Sequence, residues 1–138
     1  MTAAKAYNEE IIREFRVNKG KVAQLEGFPL LLLTTTGAKS GRPHLTPLFS
    51  VCDGDRHIII ASAGGAPSNP AWFHNLAVHP EVTVETGDGA YGAVAVVVDG
   101  AERERLWEVV TDSYPQVKDY QAKVTRRIPV VVLERAKA

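Results

Sequence analysis

One short segment of the sequence has the residue types of a phosphate-binding turn. Residues 34–43 read TTTGAKSGRP and follow four consecutive leucines. The loop that binds nucleoside triphosphates needs a glycine directly before its lysine and a helix after it. Here Ala38 precedes the lysine, and Pro43 disfavours a helix because the residue before a proline is pushed out of helical geometry. We therefore interpret the segment as a turn between two strands, whose lysine and amide groups can still bind an anion.

A second glycine-rich segment also offers a site for an anion. Residues 61–70 read ASAGGAPSNP, in which a strand pattern leads into a loop and then into the start of a helix. Free amides and the positive end of a helix dipole favour a negative group at such a junction. The alternative interpretation is that Gly64 and Gly65 only make a tight connection.

The other reactive residue types form no recognisable catalytic pattern. His44, His57, His74 and His79 are scattered, and no cluster of His, Cys and Asp has the spacing of a zinc site. We therefore expect no metal. Cys52 lies inside a strand pattern and is interpreted as a small core residue. Binding loops without acid–base machinery are typical of a protein whose cofactor performs the chemistry.

Composition limits the class of protein further. The chain has 138 residues, with 16 Lys plus Arg and 16 Asp plus Glu, hence no net charge when the histidines are neutral. This balance argues against nucleic acid as a partner, because duplex binders carry a basic excess. The lone cysteine excludes an internal disulfide. No apolar run reaches the ~20 residues of a membrane span, and no signal peptide is recognisable. We expect one cytoplasmic domain over residues 1–138.

Hydrophobic patterning predicts a mostly β chain. Six short strands are expected, at residues 29–36, 45–52, 57–61, 82–85, 90–98 and 128–133. Turns containing glycine and aspartate, at 53–55 and 87–89, join two pairs of these strands into hairpins. Evenly spaced antiparallel strands with few helices suggest a small barrel, because closure removes the exposed edges of a sheet.

Four helical segments are expected around these strands. The first covers residues 7–17, and its apolar face suits either an interface or the protein's own core. The second starts after an N-cap at 68–69, with Pro70 as its first helical residue, and ends near residue 79. The third covers about 101–113 and is expected to turn Arg103 outward. A short fourth segment covers 116–123.

Segments along the whole chain resemble the deazaflavin-dependent nitroreductase family. In chain order they are EFRVN at 14–18, PLLLLTTTG at 29–37, KSG at 39–41, PL at 47–48, GGA at 64–66, NPAW at 69–72, NL at 75–76, HP at 79–80, YP at 114–115, DYQ at 119–121 and RIPVVVL at 127–133. The resemblance implies a split β-barrel, of the FMN-binding type, with flanking helices. It also implies an enzyme that transfers a hydride from reduced coenzyme F-420, an 8-hydroxy-5-deazaflavin, to a quinone, a nitroaromatic compound or another electron-poor conjugated acceptor.

The resemblance also implies roles for particular residues. The turn at Lys39 and Ser40 and the loop at Ser62 would hold the coenzyme's phosphate, and segments 44–49 and 71–75 would line its deazaflavin ring. Tyr114 and Tyr120 would line the acceptor pocket as catalytic candidates. The full set of coenzyme-binding residues that it implies is Ala38, Lys39, Ser40, His44, Leu45, Thr46, Pro47, Leu48, Phe49, Ile60, Ala61, Ser62, Ala63, Ala71, Trp72, Phe73, His74, Asn75 and Val117.

Some positions depart from the family pattern. Many relatives carry arginine where this chain has Ala38 and lysine where it has Ala63, so two cations near the phosphate are missing. We expect weaker affinity for the anionic tail, or compensation by another cation. The candidates for compensation are Arg16, Lys19, Lys21 and Arg42. Phe49 and Val117 stand where some relatives have tyrosine, so the substrate range of those relatives does not transfer.

The same residues also suit other functions. The chain is alternatively a non-catalytic module that binds a flavin or deazaflavin for storage or sensing, or an FMN-dependent barrel oxidoreductase, although we expect F-420 to be preferred to FMN. Trp72 and Tyr120 are alternatively core aromatics. The expected partner is a small-molecule acceptor. A homodimer and a peripheral contact with the membrane through a quinone are further expectations.

Overall fold

The computed structural model of the protein describes residues 3–22, 29–62 and 67–136. Within them, seven antiparallel strands form one sheet. The strands are β1 (Leu30–Thr36), β2 (Pro43–Phe49), β3 (Val51–Asp53), β4 (Arg56–Ile60), β5 (Glu81–Thr86), β6 (Gly89–Val98) and β7 (Val130–Arg135). Their order across the sheet is β2-β1-β5-β6-β7-β4-β3. The predicted hairpins are confirmed, since β3 pairs with β4 and β5 pairs with β6.

A single residue determines the shape of this sheet. Ser50 alone separates β2 from β3, which are the two edge strands of the described sheet. Neighbouring strands lie about 4.8 Å apart, so a flat sheet of seven would separate its outer strands by about 29 Å. One residue of chain spans no more than ~3.6 Å. The sheet must therefore curl until its two edges meet at Ser50, which gives the predicted split barrel.

Four helices flank the sheet: α1 (Ala3–Val17), α2 (Ala71–Val78), α3 (Gly100–Ser113) and α4 (Gln116–Ala122). Ile11 and Phe15 of α1 are buried against Leu32 of β1. The apolar face of α1 therefore serves the protein's own core. No helix in the described ranges is long and apolar enough to cross a membrane.

The two faces of the curled sheet carry separate cores. On the inner face, leucines and valines of β1, β5 and β7 pack with Trp72 and Leu76 of α2. On the outer face, Leu106 and Val110 of α3 cover Val132 of β7. Both sets alternate along their strands, as expected for side chains that point to opposite faces of a sheet.

Three predictions about elements are wrong in detail. The expected strand 45–52 is two strands, because the chain turns at Ser50, whose N–H donates to the Pro29 carbonyl at 3.1 Å. Cys52 is exposed rather than part of the core, since it lies on the edge strand β3. Helix α2 begins one residue later than expected, because Pro70 is its extended N-cap.

The side chain of Arg103 is also placed differently from the prediction. It is 6% exposed rather than turned to solvent. Its Nη2 donates to the Ile128 carbonyl at 2.7 Å, and its guanidinium lies 4.7 Å from the centre of the Trp107 ring. Burial lowers the pKa of Arg103 from its usual value. The arginine therefore fastens α3 to the segment before β7.

Charged side chains fasten the β3–β4 hairpin to α3. Asp53 accepts hydrogen bonds from Arg105 at 3.0 Å and from Arg56 at 2.7 Å. Arg105 also pairs with Glu102 at 3.2 Å. The hydrogen bond from Arg105, followed by that from Arg56, lowers the pKa of Asp53 to about 2.

We predict that this carboxylate makes stability depend on pH. A carboxyl whose pKa is lower in the folded state stabilises the fold above its unfolded pKa of about 3.9, and the contribution disappears as the pH falls through the folded value. Asp53→Asn should therefore lower the unfolding temperature at neutral pH, and the difference from the wild type should shrink from about pH 4 to about pH 2. Thermal unfolding followed by circular dichroism measures this, with Asp55→Asn in the same turn as the control. A difference that is constant across this range would contradict the prediction.

Candidate functional site

The turn after β1 closes on itself through backbone hydrogen bonds. The Gly37 N–H donates to the Arg42 carbonyl at 2.8 Å, and the Gly41 N–H donates to the Gly37 carbonyl at 2.9 Å. The Ser40 hydroxyl accepts from the Arg42 N–H at 3.1 Å. Strand β2 begins at the next residue, Pro43. The predicted strand–turn–strand is confirmed, and the geometry is not that of a nucleoside-triphosphate loop.

Gly37 allows side chains to pack across this turn. A Cβ atom at this position would collide with the Ser40 hydroxyl and lie 2.9 Å from His44 Nε2. Gly41 adopts a φ of +70°, which residues with a side chain rarely do. The two glycines therefore hold Lys39 and Ser40 at the tip of a tight and specific turn.

Asn75 fastens this turn to α2. Its Oδ1 accepts from the Ala38 N–H at 3.0 Å, and its Nδ2 donates to the hydroxyl of Thr35 at 3.3 Å. Thr35 is buried. Both the oxygen and the nitrogen of the Asn75 amide are thus bonded within the protein. Asn75 therefore fixes the position of the Lys39 turn relative to α2.

A cavity of about 510 Å³, called here the turn cavity, lies between the turn and α2. Lys39 and Ser40 are exposed at its wall. An ammonium group and backbone amides on a tight turn form a suitable site for a phosphate. The residues that line it are Gly37, Ala38, Lys39, Ser40, His44, Ala71, His74 and Asn75.

A second cavity, of about 120 Å³ and called here the tyrosine cavity, lies where the curled edges of the sheet meet α3 and α4. The rings of Phe49 and Tyr114 stack at its wall, with centroids 6.2 Å apart and planes inclined by 28°. Most of its lining is apolar. The residues that line it are Leu48, Phe49, Val51, Ile58, Ile60, Ser62, Val110, Tyr114, Gln116, Val117 and Tyr120.

Tyr114 keeps its proton in this environment. The side chain is 8% exposed, and burial raises the pKa of its hydroxyl above the usual value. A phenol that stays protonated can donate a hydrogen bond to an oxygen atom in the cavity.

Strand β2 connects the two cavities. His44 lines the turn cavity and Leu48 lines the tyrosine cavity. Side chains four residues apart point to the same face of a strand, and at 3.3 Å per residue they are about 13 Å apart. The arrangement suits an elongated ligand with an anionic group at one end and a flat apolar group at the other.

The structure divides the predicted site residues between these cavities. Those in the turn cavity are Ala38, Lys39, Ser40, His44, Ala71, His74 and Asn75. Those in the tyrosine cavity are Leu48, Phe49, Ile60, Ser62, Tyr114, Val117 and Tyr120. Those that line neither of these two cavities are Leu45, Thr46, Pro47, Ala61, Trp72 and Phe73. Ala63, like Gly64 and Gly65, lies outside the described residues.

Three placements differ from those that the resemblance implies. Ser62 lies at the tyrosine cavity, although it was expected beside Lys39 at the phosphate. Four residues that were expected at the deazaflavin ring line the turn cavity with Lys39, namely His44, Ala71, His74 and Asn75. Trp72 is 7% exposed and packs on the inner face of the sheet, which supports its alternative interpretation as a core aromatic.

The cations that were expected to compensate for Ala38 and Ala63 lie in different places. Arg42 belongs to the turn that carries Lys39. Arg16 pairs with Glu85 of β5 at 3.0 Å, which occupies its guanidinium. Within the described ranges, no group of three or more His, Cys, Asp or Glu side chains could hold a metal ion.

Sequence reasoning missed Arg126. Its guanidinium contacts the chain on both sides of residues 63–66, although its partners are 57 to 65 residues away in the sequence. No local pattern marks an arginine whose role depends on such distant partners.

A family model described as F420H(2)-dependent quinone reductase matches residues 7–135. The chain belongs to this family. An F420H(2)-dependent quinone reductase of Mycobacterium tuberculosis, strain H37Rv, is 42% identical to it over 110 residues, which are 78% of this chain and 74% of the relative. Membership confirms the predicted reductase class, with coenzyme F-420 as the cofactor.

Solved structures agree with this fold. The structure of an F420-H2 dependent reductase, FDR-A, is 39% identical, with a TM-score of 0.72 over 77% of this chain and 94% of that chain. A structure described as a domain-swapped dimer is 33% identical, with a TM-score of 0.73 over 96% of this chain and all of that one. The roles of individual residues in this chain stay predictions.

Proposed function

We propose that this protein transfers a hydride from reduced coenzyme F-420 to a quinone, and that the coenzyme lies along β2 with its phosphate in the turn cavity and its ring at the tyrosine cavity. One observation carries the proposal. His44 and Leu48, which point to the same face of β2, line one cavity each, with an exposed lysine turn at one end and an apolar, tyrosine-lined recess at the other.

The residues of the two cavities fit the parts of this coenzyme. The Lys39 ammonium, the Ser40 hydroxyl and the amides of the closed turn suit a phosphate, although Ala38 contributes no cation. Phe49 and the aliphatic side chains of the tyrosine cavity suit a planar aromatic ring. When bound, the reduced coenzyme supplies the hydride.

The chain's own residues orient the acceptor and complete its reduction. Phe49 and Tyr114, stacked at the wall, hold a flat acceptor in place. The hydroxyl of Tyr120 or Tyr114 donates a hydrogen bond to the quinone oxygen and delivers the proton that, with the hydride, yields the hydroquinone; solvent then restores that proton. Val110 and Val117, both buried, exclude water from the recess.

The lining of the tyrosine cavity favours neutral acceptors. A charged acceptor would lose hydration that the apolar side chains cannot replace. The stacked rings and two hydroxyls suit a flat molecule with one or two carbonyl oxygens. We therefore propose quinones as the preferred substrates, with neutral nitroaromatic compounds next and anionic ones last.

Features of the surface support two further parts of the proposal. Val94 and Val96, which point to the same face of β6, are exposed and offer apolar surface for a homodimer. Exposed Tyr7 and Val17 on α1 suit contact with a membrane that holds the quinone. The cytoplasmic location and the single domain stay predictions from the sequence.

The proposal is tested by titration with oxidised coenzyme F-420 beside FMN, followed by absorbance. We expect the protein to purify without bound flavin and to bind F-420 more tightly than FMN. The reason is that the family of this chain uses F-420, and that the lysine turn lies at one end of an elongated site. Retention of FMN at near-stoichiometric occupancy would support the FMN-dependent alternative instead.

We predict that Lys39 carries much of the affinity for the phosphate. Lys39→Ala should weaken coenzyme binding by about 1.5 to 3 kcal/mol, the usual range for a hydrogen bond to a charged group. The same titration measures it. Lys118→Ala, on the exposed side of α4, is the control for loss of one positive charge. An unchanged dissociation constant for Lys39→Ala would show that the turn is purely structural.

We predict that Tyr120 acts on the acceptor rather than on the coenzyme. Tyr120→Phe should leave coenzyme binding nearly intact and lower kcat with menadione by about a hundredfold, the lower end of what a positioned general acid contributes. Steady-state rates measure the effect, and Tyr7→Phe on the exposed side of α1 is the matched control. Equal rates for Tyr120→Phe and the wild type would return Tyr120 to the status of a packing residue.

A further inference from the structure

Arg126 joins the end of β4 to the segment that leads into α2. Its Nη1 donates to the Ala61 carbonyl at 3.1 Å and to Asn69 Oδ1, and its Nη2 donates to the Ser62 carbonyl at 2.9 Å. Ala61 and Ser62 directly follow β4, and Asn69 lies just before α2. One guanidinium therefore fixes the chain on both sides of residues 63–66.

The backbone that carries Arg126 is itself fixed by α4. Gln121 Nε2 donates to the Arg126 carbonyl at 2.8 Å, and Gln121 Oε1 accepts from the Ile128 N–H at 2.9 Å. Residues 124–129 belong to no helix or strand. The two hydrogen bonds from one amide therefore hold this connecting segment against α4.

These contacts join two walls of the tyrosine cavity. Gln121 is the neighbour of Tyr120, which lines the tyrosine cavity from α4. The Arg126 guanidinium donates to the carbonyl of Ser62, which lines the same cavity just after β4. The planar guanidinium donates to these acceptors from two separate nitrogen atoms, whereas a lysine at position 126 would offer a single nitrogen atom.

We propose that Arg126 is a positioning residue that holds Ser62 for the coenzyme, and that Gln121 couples this position to the acceptor helix α4. The inference rests on the proposed coenzyme site and deepens it. Its consequence is that the affinity for coenzyme and the affinity for quinone depend on one shared set of hydrogen bonds, so a change at either residue alters both.

The first test compares two neighbouring arginines. Arg126→Lys keeps the charge but loses the planar fork, and we expect its dissociation constant for oxidised F-420 to rise about tenfold, as expected for loss of a charge-assisted hydrogen bond. Arg127→Lys is the matched control, because Arg127 is exposed and pairs with Glu104 at the surface. Both titrations are made well below the unfolding temperature of each variant, so that a loss of stability alone leaves the dissociation constant unchanged.

The second test addresses the coupling. Gln121→Glu keeps an acceptor for the Ile128 N–H but replaces the donor to the Arg126 carbonyl with a carboxylate oxygen, which repels that carbonyl. We expect it to raise both the dissociation constant for F-420 and the KM for menadione. In the double variant with Arg126→Lys, the two effects on coenzyme affinity should not multiply, because the residues act through one set of contacts.

The outcomes are distinct. A dissociation constant for Arg126→Lys equal to that of the wild type would overturn the inference and leave the proposed function standing. Effects of Gln121→Glu and Arg126→Lys that multiply would overturn the coupling. Failure of the wild-type protein to bind F-420 would overturn the proposed function and the inference together.

Discussion

The connection of two edge strands through Ser50 constrains the whole molecule. Because β2 and β3 lie at opposite ends of the strand order, the sheet has to curl through all seven strands to bring them together. The curl brings the end of β2 and the start of β3 against β4 and the α3–α4 corner, where the tyrosine cavity forms. Leu48, Phe49 and Val51, which surround Ser50 in the sequence, are all in its wall. The fold and the recess therefore have the same physical origin.

Long side chains with several hydrogen-bonding groups hold the binding segments in place. Asn75 fixes the lysine turn, Arg126 fixes the end of β4, and Gln121 fixes the segment before β7. Each of them bonds to backbone groups that no helix or strand satisfies. An enzyme whose cofactor supplies the reactive atom depends on exact orientation more than on acid–base groups. These hydrogen bonds therefore stabilise the geometry of the site.

The elements that depend on local sequence could be predicted, and those that depend on distant contacts could not. Patterning and the glycine-aspartate turns predicted the hairpins and the helices, although α1 begins at Ala3 and not at residue 7 as predicted. The bend at Ser50 was missed because the apolar pattern continues through it. Arg103 was expected outside because a charged residue on a helix usually faces water, and its bond to the Ile128 carbonyl spans 25 residues. Lys39 and Ser40 lie together because they are neighbours in sequence, whereas the separation of Ser62 from them depends on the curl of the sheet.

The exposure of Cys52 has a practical consequence for work with this protein. The thiol lies on the short edge strand β3, next to Val51 of the tyrosine cavity, and the sequence contains no second cysteine. Oxidation by air can therefore form a disulfide only between two molecules, which would join them edge to edge beside the recess. Such a covalent pair differs from one formed through the valines of β6, and a reducing agent separates the first kind while leaving the second intact.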